Sequence, residues 1–144
     1  MANLKILQWN CQSIRNKIAD LKILLSQCEN PPQILCIQET FLNCKTTINI
    51  PGYSIIYKNR KDDKGKGDVA SAIKNGISYT VEENKLEELI VIKIKMQNSY
   101  INIINLYKSL KADLNIEELA SLTDNKNTML IIDFNSHNPL WSSK

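Results

Sequence analysis

Residues 34–39 read Ile-Leu-Cys-Ile-Gln-Glu, a short apolar run that stops at an amide and a carboxylate. A brief, β-prone run of this kind is typical of a strand. Because polar and apolar residues do not alternate in it, we expect a strand over residues 33–38 that is covered on both faces. Glu39 therefore stands directly at the end of a buried strand.

Three further predicted strands end in polar side chains of the same kind. The residues are Asn10 after the run 4–9, Asn105 and Tyr107 after the run 101–104, and Asp133 and Asn135 after the run 129–132. Side chains alternate along a strand, so Asp133 and Asn135 should point to one side, with Phe134 packed between them. Gathered at one end of the sheets, these oxygen-bearing groups would suit magnesium.

A second interpretation of these strand ends stays open at this point. Loops need polar residues, so Asn10 and Asp133 are also typical turn formers. Tyr107 is equally compatible with an aromatic ring at the edge of the core whose hydroxyl faces water. His137, followed by Asn138-Pro139, also fits an ordinary turn.

The first half of the chain predicts a β-α-β unit. Residues 4–10 alternate, with Leu4, Ile6 and Gln8 on one face of a strand and Lys5, Leu7 and Trp9 on the other. Residues 17–25 predict a helix whose apolar positions are Ile18, Leu21, Leu24 and Leu25, and Pro31-Pro32 excludes further helix. The strand over residues 33–38 follows.

Consecutive strands follow this unit. We expect strands at residues 53–57, 69–74 and 77–81, with Asn75-Gly76 closing a hairpin between the last two. A second hairpin joins residues 87–96 to 100–107 around residues 97–99. A helix over 113–122 follows, with Asp113 as its N-cap and Leu114, Leu119 and Leu122 on its inner side, and then a strand over 128–134. This order favours a mixed-sheet sandwich flanked by helices.

Composition limits the classes of protein that remain. With 144 residues, 43% hydrophobic and 23% charged, the chain predicts one globular domain over residues 1–144. The longest apolar runs are far shorter than the roughly 20 residues that span a bilayer, and the polar N-terminus does not resemble a secretory signal. We therefore expect an intracellular protein without a membrane segment.

Cysteine and charge patterns carry less information. Cys11, Cys28, Cys36 and Cys44 form no C-x-x-C pair, and the chain has one histidine, so buried thiols are expected instead of a zinc site. The net charge of +3 does not by itself indicate nucleic acid. A basic stretch with Lys58, Arg60, Lys61, Lys64 and Lys66 predicts a solvated loop and, secondarily, phosphate contacts.

Five segments of the chain resemble, in order, the endonuclease domain of jockey- and R1-like non-LTR retrotransposons. They are residues 4–17 (LKILQWNCQSIRNK), 34–40 (ILCIQET), 67–77 (GDVASAIKNGI), 104–107 (INLY) and 132–141 (IDFNSHNPLW). The Pro-Leu-Trp after the last motif is its most diagnostic part. The resemblance covers essentially the whole chain and implies a four-layer α/β/β/α sandwich of the endonuclease/exonuclease/phosphatase (DNase I-like) type, incomplete at its C-terminus.

The resemblance also implies an activity and a set of site residues. It implies a magnesium-dependent endonuclease that nicks target DNA and leaves a 3′-hydroxyl to prime reverse transcription, working in the nucleus without a small-molecule cofactor. Glu39 is implied as the main magnesium carboxylate with Asn10 assisting, and Tyr107 as a contact of the scissile phosphate. Asp133 is implied to orient or deprotonate the water, Asn135 to hydrogen-bond phosphate or metal-bound oxygen, and His137 to lie at the site edge.

Departures from the family pattern put catalysis in doubt. The family ends its site with a late Ser-Asp-His motif, which these 144 residues do not contain, so we expect an N-terminal portion of the domain that is inactive as given. Ile132 and Asp68 replace glycines that are usual in the family. Ser142 follows Trp141 where the family usually has Trp-Gly-Ser. A catalytically dead remnant that at most binds nucleic acid is therefore one alternative. A same-fold phosphoesterase is the other.

Overall fold

The computed structural model describes residues 3–43, 47–59, 66–84, 86, 88–107, 116–124 and 127–133. In chain order, its elements are β1 (Ile6–Asn10), a 3-10 turn (Ile14–Asn16), α1 (Ile18–Gln27), β2 (Ile34–Gln38), β3 (Tyr53–Asn59), β4 (Lys66–Lys74), β5 (Tyr79–Glu82), β6 (Leu89–Lys95), β7 (Tyr100–Tyr107), α2 (Ile116–Leu122) and β8 (Thr128–Asp133). The predicted β-α-β start, the run of strands and the final α-β unit are all present.

Two mixed sheets of four strands each contain these strands. The first sheet has the order β1-β2-β4-β3 and the second has the order β5-β6-β7-β8. Each sheet has one parallel pair, which is β1 with β2 in the first and β7 with β8 in the second. The other neighbouring strands run antiparallel. The predicted hairpin between residues 87–96 and 100–107 is confirmed as β6 and β7.

Three apolar clusters stack these elements into four layers. Leu21 and Leu25 of α1 pack with the outer face of the first sheet. A middle cluster fills the space between the sheets and includes Ile34, Cys36, Ile73, Ile90, Ile92 and Ile103. Leu119 and Leu122 of α2 pack on the outer face of the second sheet. The predicted α/β/β/α sandwich is confirmed, and β2 is buried along its whole length, as a strand covered on both faces must be.

The predicted hairpin at Asn75-Gly76 is wrong. Gly76 does form a turn, with a φ of +95°, but the strands on either side of it belong to different sheets. Both edges of β4 are already hydrogen-bonded, to β2 on one side and to β3 on the other. Because no edge of β4 is left for β5, the chain crosses to the second sheet and β5 pairs with β6.

Local differences from the expected elements have simple causes. Leu24 follows the helical spacing but is 54% exposed, because α1 turns only Leu21 and Leu25 fully into the first sheet. The alternation predicted for β1 is confirmed, since Leu7 and Trp9 face α1 while Leu4 and Ile6 pack in the middle cluster. The proposed N-cap Asp113, Leu114 and Phe134 lie outside the described residues.

The cysteines divide into two groups. Cys11 and Cys36 are buried, and burial raises the pKa of their thiols to about 11 and about 12. The prediction of buried thiols is wrong for Cys28, which is exposed because it follows the end of α1. Cys44 and most of the basic stretch, residues 60–65, lie outside the described residues. Among the described helices, none has the length and apolar character that a bilayer span requires.

Candidate active site at the paired strand ends

Four strand ends meet at one edge of the sandwich. The register of the parallel pairs places Asn10 beside Gln38 in the first sheet and Tyr107 beside Asp133 in the second. Earlier residues on the inner faces of these strands, such as Ile6 and Ile131, pack in the middle apolar cluster. Because side chains alternate, each inner face continues from that cluster to a polar residue at the strand end.

Glu39 and Tyr107 form a buried pair that joins the two sheets. The Tyr107 hydroxyl donates a hydrogen bond to Glu39 Oε1 over 3.1 Å. The two residues are only 8% and 5% exposed. Tyr107 is therefore not an edge aromatic with its hydroxyl in water, which the sequence had left open. Its hydroxyl points at the carboxylate that the sequence had singled out for metal binding.

The surroundings of Tyr107 keep its hydroxyl protonated. Burial raises the pKa of Tyr107 well above its ordinary value. The hydrogen bond to Glu39 and the negative charge of Glu39 raise this pKa further. The negative charges of Asp68 and Asp133 act in the same direction. A tyrosine in this setting is a neutral hydrogen-bond donor at physiological pH.

Asn10 and Asp133 form a second pair between the sheets. Asn10 Nδ2 donates a hydrogen bond to Asp133 Oδ2, so the amide end of β1 contacts the carboxylate end of β8. Two residues earlier on β1, Gln8 Nε2 donates a hydrogen bond to the backbone oxygen of Ile132 over 3.4 Å. Asn10 is exposed, so this pair is open to solvent, unlike the pair made by Glu39 and Tyr107.

A polar network lies beneath the buried pair. Gln38 Nε2 donates to Asn105 Oδ1 over 2.8 Å, and Asn105 Nδ2 donates to the Ala70 backbone oxygen over 2.9 Å and lies 3.1 Å from Ser71 Oγ. Gln38, Ser71 and Asn105 are essentially inaccessible to solvent. The hydrogen bond between Gln38 and Asn105 therefore links the two sheets, a role that the sequence did not predict. The sequence feature that could have indicated this link is the amide near the end of each buried strand, Gln38 in β2 and Asn105 in β7.

The loops after β1 and β2 are held in an unusual backbone conformation. Gln12, Ser13, Glu39 and Phe41 all have positive φ, of 47°, 85°, 54° and 52°. Non-glycine residues rarely adopt this region without surrounding restraint. The two loops restrain each other, because Ser13 N donates to Glu39 O over 2.8 Å and Ile14 N donates to Thr40 O over 3.1 Å. Glu39 is thus positioned by its neighbours as well as by β2.

Asp68 is a further carboxylate near Tyr107. Its backbone N–H donates to Glu88 Oε2 over 3.1 Å, and its backbone oxygen accepts from Thr40 N over 3.3 Å. Its charge also raises the pKa of Tyr107. In the sequence, Asp68 stood out only as a replacement for glycine. Its proximity to the site comes from the pairing of β4 with β2.

The donor set suits a hard cation that retains water ligands. Within the part of the chain that the structure describes, no group of three or more His, Cys, Asp or Glu residues could hold a metal. Magnesium needs fewer protein ligands, since one or two carboxylates with water and substrate phosphate suffice. Glu39, Asp133 and the amide of Asn10 supply oxygen ligands of that kind at one edge.

The structure therefore brings together four of the six predicted site residues, Asn10, Glu39, Tyr107 and Asp133. Asn135 and His137 lie outside the described residues. The catalytic and metal-binding roles assigned to all six remain predictions.

Comparison with known proteins identifies the fold. No family model and no curated protein matches the chain. Among solved structures, the endonuclease domain of TRAS1, a telomere-specific non-LTR retrotransposon, aligns with a TM-score of 0.71 and 17% identity, over 99% of this chain and 64% of that one. The fold is thus the α+β sandwich of the endonuclease/exonuclease/phosphatase type.

Two DNA-processing enzymes have the same architecture. An AP endonuclease, LMAP, from Leishmania major aligns with a TM-score of 0.58 and 16% identity, over 81% of this chain and 43% of that one. A Neisseria 3′ phosphatase, NExo, bound to a product DNA hairpin, aligns with a TM-score of 0.57 and 20% identity, over 92% of this chain and 58% of that one. The chain spans less than two thirds of the length of each of these three structures.

Proposed function

We propose that this chain carries the metal- and phosphate-binding part of a magnesium-dependent DNA endonuclease of the non-LTR retrotransposon kind. Such an enzyme nicks chromosomal DNA in the nucleus and leaves a 3′-hydroxyl that primes reverse transcription. The observation that carries the proposal is the meeting of Glu39 and Asp133 at one end of the sandwich, each bonded to a residue of the opposite sheet. The fold shared with a retrotransposon endonuclease domain supports it.

Glu39 and Asn10 are the residues that would hold magnesium. Glu39 combines a carboxylate with low exposure, and Asn10 is the amide at the adjacent strand end. Bound magnesium would supply positive charge where negative charge develops on the phosphate and on the 3′ leaving oxygen.

Tyr107 would bind the scissile phosphate as a neutral donor. Its hydroxyl has one proton, which Glu39 accepts in the present structure. A phosphate oxygen that takes this hydrogen bond must therefore replace Glu39 as the acceptor. The raised pKa of Tyr107 ensures that the proton is present when substrate binds.

Asp133 would orient or deprotonate the attacking water. The amide of Asn10 donates to Asp133 Oδ2 and so fixes the position of the carboxylate that would accept a proton from water. Asn135 would hydrogen-bond a phosphate oxygen, and His137 would lie at the site edge.

A second function, nucleic-acid binding without cleavage, is favoured by one feature of the sequence. The 144 residues contain a single histidine, His137, and no Ser-Asp-His motif. A missing catalytic acid or base typically lowers a rate by about 10² to 10⁴. We therefore expect the polypeptide to bind metal and DNA without measurable Glu39-dependent nicking.

Metal binding provides the most direct test. Mn²⁺ titrated into the 144-residue chain and followed by EPR should report a site that Mg²⁺ competes for. Glu39→Gln should weaken Mn²⁺ binding by at least about tenfold, since a ligand carboxylate is lost. Glu117→Gln, on the exposed face of α2, is the matched control and should bind as wild type. Equal affinity of wild type and Glu39→Gln would contradict the proposal.

A nicking assay separates the two functions. Supercoiled plasmid with Mg²⁺ should stay intact with wild type to the same extent as with Glu39→Ala. Nicking by wild type that disappears in Glu39→Ala would instead show that the chain cleaves DNA without a Ser-Asp-His motif. That result would exclude the binding-only function.

A further inference from the structure

Phe41 is an exposed aromatic residue two positions after Glu39. Its neighbours in sequence, Thr40 and Leu42, are 0% and 5% exposed, whereas Phe41 is 53% exposed. Leu42 packs in the cluster between α1 and the first sheet. A buried residue on each side of an exposed phenyl ring indicates that the loop places this ring outside the core.

The backbone of this loop determines the outward position of Phe41. Glu39 and Phe41 both have left-handed φ values, and Thr40 between them is held by two backbone hydrogen bonds. Thr40 N donates to Asp68 O over 3.3 Å, and Thr40 O accepts from Ile14 N over 3.1 Å. A bulky residue with positive φ persists only where the surroundings impose it. Phe41 is thus presented by a restrained segment and does not belong to a free loop.

The position of Phe41 limits what its ring can contact. Two residues of chain span at most about 7 Å, so Phe41 Cα lies within that distance of Glu39 Cα. Successive base pairs of duplex DNA are about 3.4 Å apart along the axis. A phosphate bound by Tyr107 and by the magnesium that Glu39 would hold therefore places the neighbouring bases within reach of the ring.

The chemistry of the ring selects a base over a phosphate. Phenylalanine has no hydrogen-bond donor and no charge, so it cannot contact a phosphate favourably. Its π face suits stacking on a nucleobase, or insertion as a wedge beside one. We propose that Phe41 stacks on a nucleobase next to the phosphate bound at the site of Glu39 and Tyr107, an inference that rests on the proposed function.

Tyr100 provides a matched comparison. It is a half-exposed aromatic residue at the first position of β7, whereas Tyr107 of the candidate site is at the last position. At about 3.3 Å per residue, roughly 23 Å separates the two ends of this strand. A change at Tyr100 removes a similar exposed ring without affecting the edge where Glu39 lies.

The test measures DNA binding by the full chain, with fluorescein-labelled single-stranded and duplex oligonucleotides in Mg²⁺. Fluorescence anisotropy should show about 5- to 100-fold weaker binding by Phe41→Ala, the range expected for one lost stacking contact. Phe41→Trp should restore affinity, and Phe41→Leu, which keeps the apolar volume, should not. Tyr100→Ala should bind as wild type. Heparin, a polyanion without bases, should bind wild type and Phe41→Ala equally.

Tryptophan fluorescence adds a signature specific to stacking. The emission added by Phe41→Trp should be quenched by DNA, and that added by Tyr100→Trp should not. No quenching at position 41, or equal DNA affinity of wild type, Phe41→Ala and Phe41→Leu, would overturn the stacking inference alone. Failure of wild type to bind any oligonucleotide would overturn the proposed function and this inference with it. Normal Mn²⁺ binding by Phe41→Ala confirms that the metal site is intact.

Discussion

The buried pair, Glu39 with Tyr107, and the exposed pair, Asn10 with Asp133, make the same kind of contact in different surroundings. Each joins a carboxylate to a hydrogen-bond donor on the opposite sheet. Glu39 and Tyr107 are nearly inaccessible to solvent, whereas Asn10 is exposed. Water can replace either partner of the exposed pair, but it has little access to the buried one.

This difference indicates how the site divides its tasks. The buried pair stands on the network of Gln38, Ser71 and Asn105, so its geometry depends on the packing of both sheets. Hydrogen bonds of buried groups are costly to lose, because the remaining partner stays desolvated. We infer that burial contributes to stability and holds Glu39 and Tyr107 in a fixed geometry for their proposed roles, while Asn10 and Asp133 are more open to water.

The largest expected effect is at the network beneath the buried pair. Asn105→Ala should lower the free energy of unfolding by about 2 to 4 kcal/mol, because it removes three hydrogen-bond contacts of a buried amide. Urea denaturation followed by circular dichroism measures this change. Asn98→Ala, in the exposed turn between β6 and β7, is the control and should stay within about 0.5 kcal/mol of wild type.

A second variant distinguishes lost polar pairing from lost volume. Gln38→Met combined with Asn105→Leu replaces both amides by apolar side chains and should recover much of the stability. If Asn105→Ala proved as stable as wild type, the network would not be the support that separates the buried pair from the exposed one.

The intermediate effect compares the two pairs directly. Tyr107→Phe removes the hydroxyl that donates to Glu39 and should destabilise the fold by about 1 to 3 kcal/mol. Asn10→Ala removes the donor to Asp133 at an exposed position and should change stability by about 0.5 kcal/mol or less. Thermal or urea unfolding of both variants measures whether Tyr107→Phe loses more stability than Asn10→Ala. Equal losses would mean that burial does not distinguish the pairs.

The smallest expected effect is a dependence on alkaline pH. The pKa of Tyr107 is raised above its ordinary value of 10.0, so the folded state holds this proton more tightly than the unfolded chain does. The contribution of protonated Tyr107 to the free energy of unfolding is complete below pH 10.0. It is lost as pH rises above that value, by up to about 1.4 kcal/mol per pH unit. Stability of Tyr107→Phe should therefore fall less steeply than that of wild type above pH 10.0.

Cys11 and Cys36 also make the folded state less stable as pH rises, and their effect begins at a lower pH than that of Tyr107. Their pKa values rise from 9.0 to about 11 and about 12, so they destabilise both wild type and Tyr107→Phe as pH rises above 9.0. Urea titrations at a series of pH values in reductant separate the contributions. Parallel curves for wild type and Tyr107→Phe above pH 10.0 would contradict the predicted proton coupling of the buried pair.

Much of the fold was predictable because it depends on local patterns. The alternation in β1, the uninterrupted apolar run of β2 and the hairpin of β6 with β7 are all readable from neighbouring residues. Asn75-Gly76 shows where such patterns fail. The dipeptide specified a turn, but the partner of each strand depended on edges occupied by β2 and β3, which are distant in sequence.

The candidate site divides in the same way. Asn10, Glu39, Tyr107 and Asp133 could be named from the sequence, because each follows an apolar run at a strand end. The sequence could not predict which of these residues pair with each other, or which pair is buried. Nor could it predict the proximity of Asp68, which depends on the register of β4 against β2.

The sequence by itself determined which strands form, which of their faces are apolar, and which polar side chains end them, because these properties repeat over a few residues. Only the tertiary structure decided which sheet each strand joins, which carboxylate is shielded from water, and which donor reaches it. Those outcomes depend on packing between residues far apart in the chain, such as Gln38 and Asn105, whose contact no local pattern encodes.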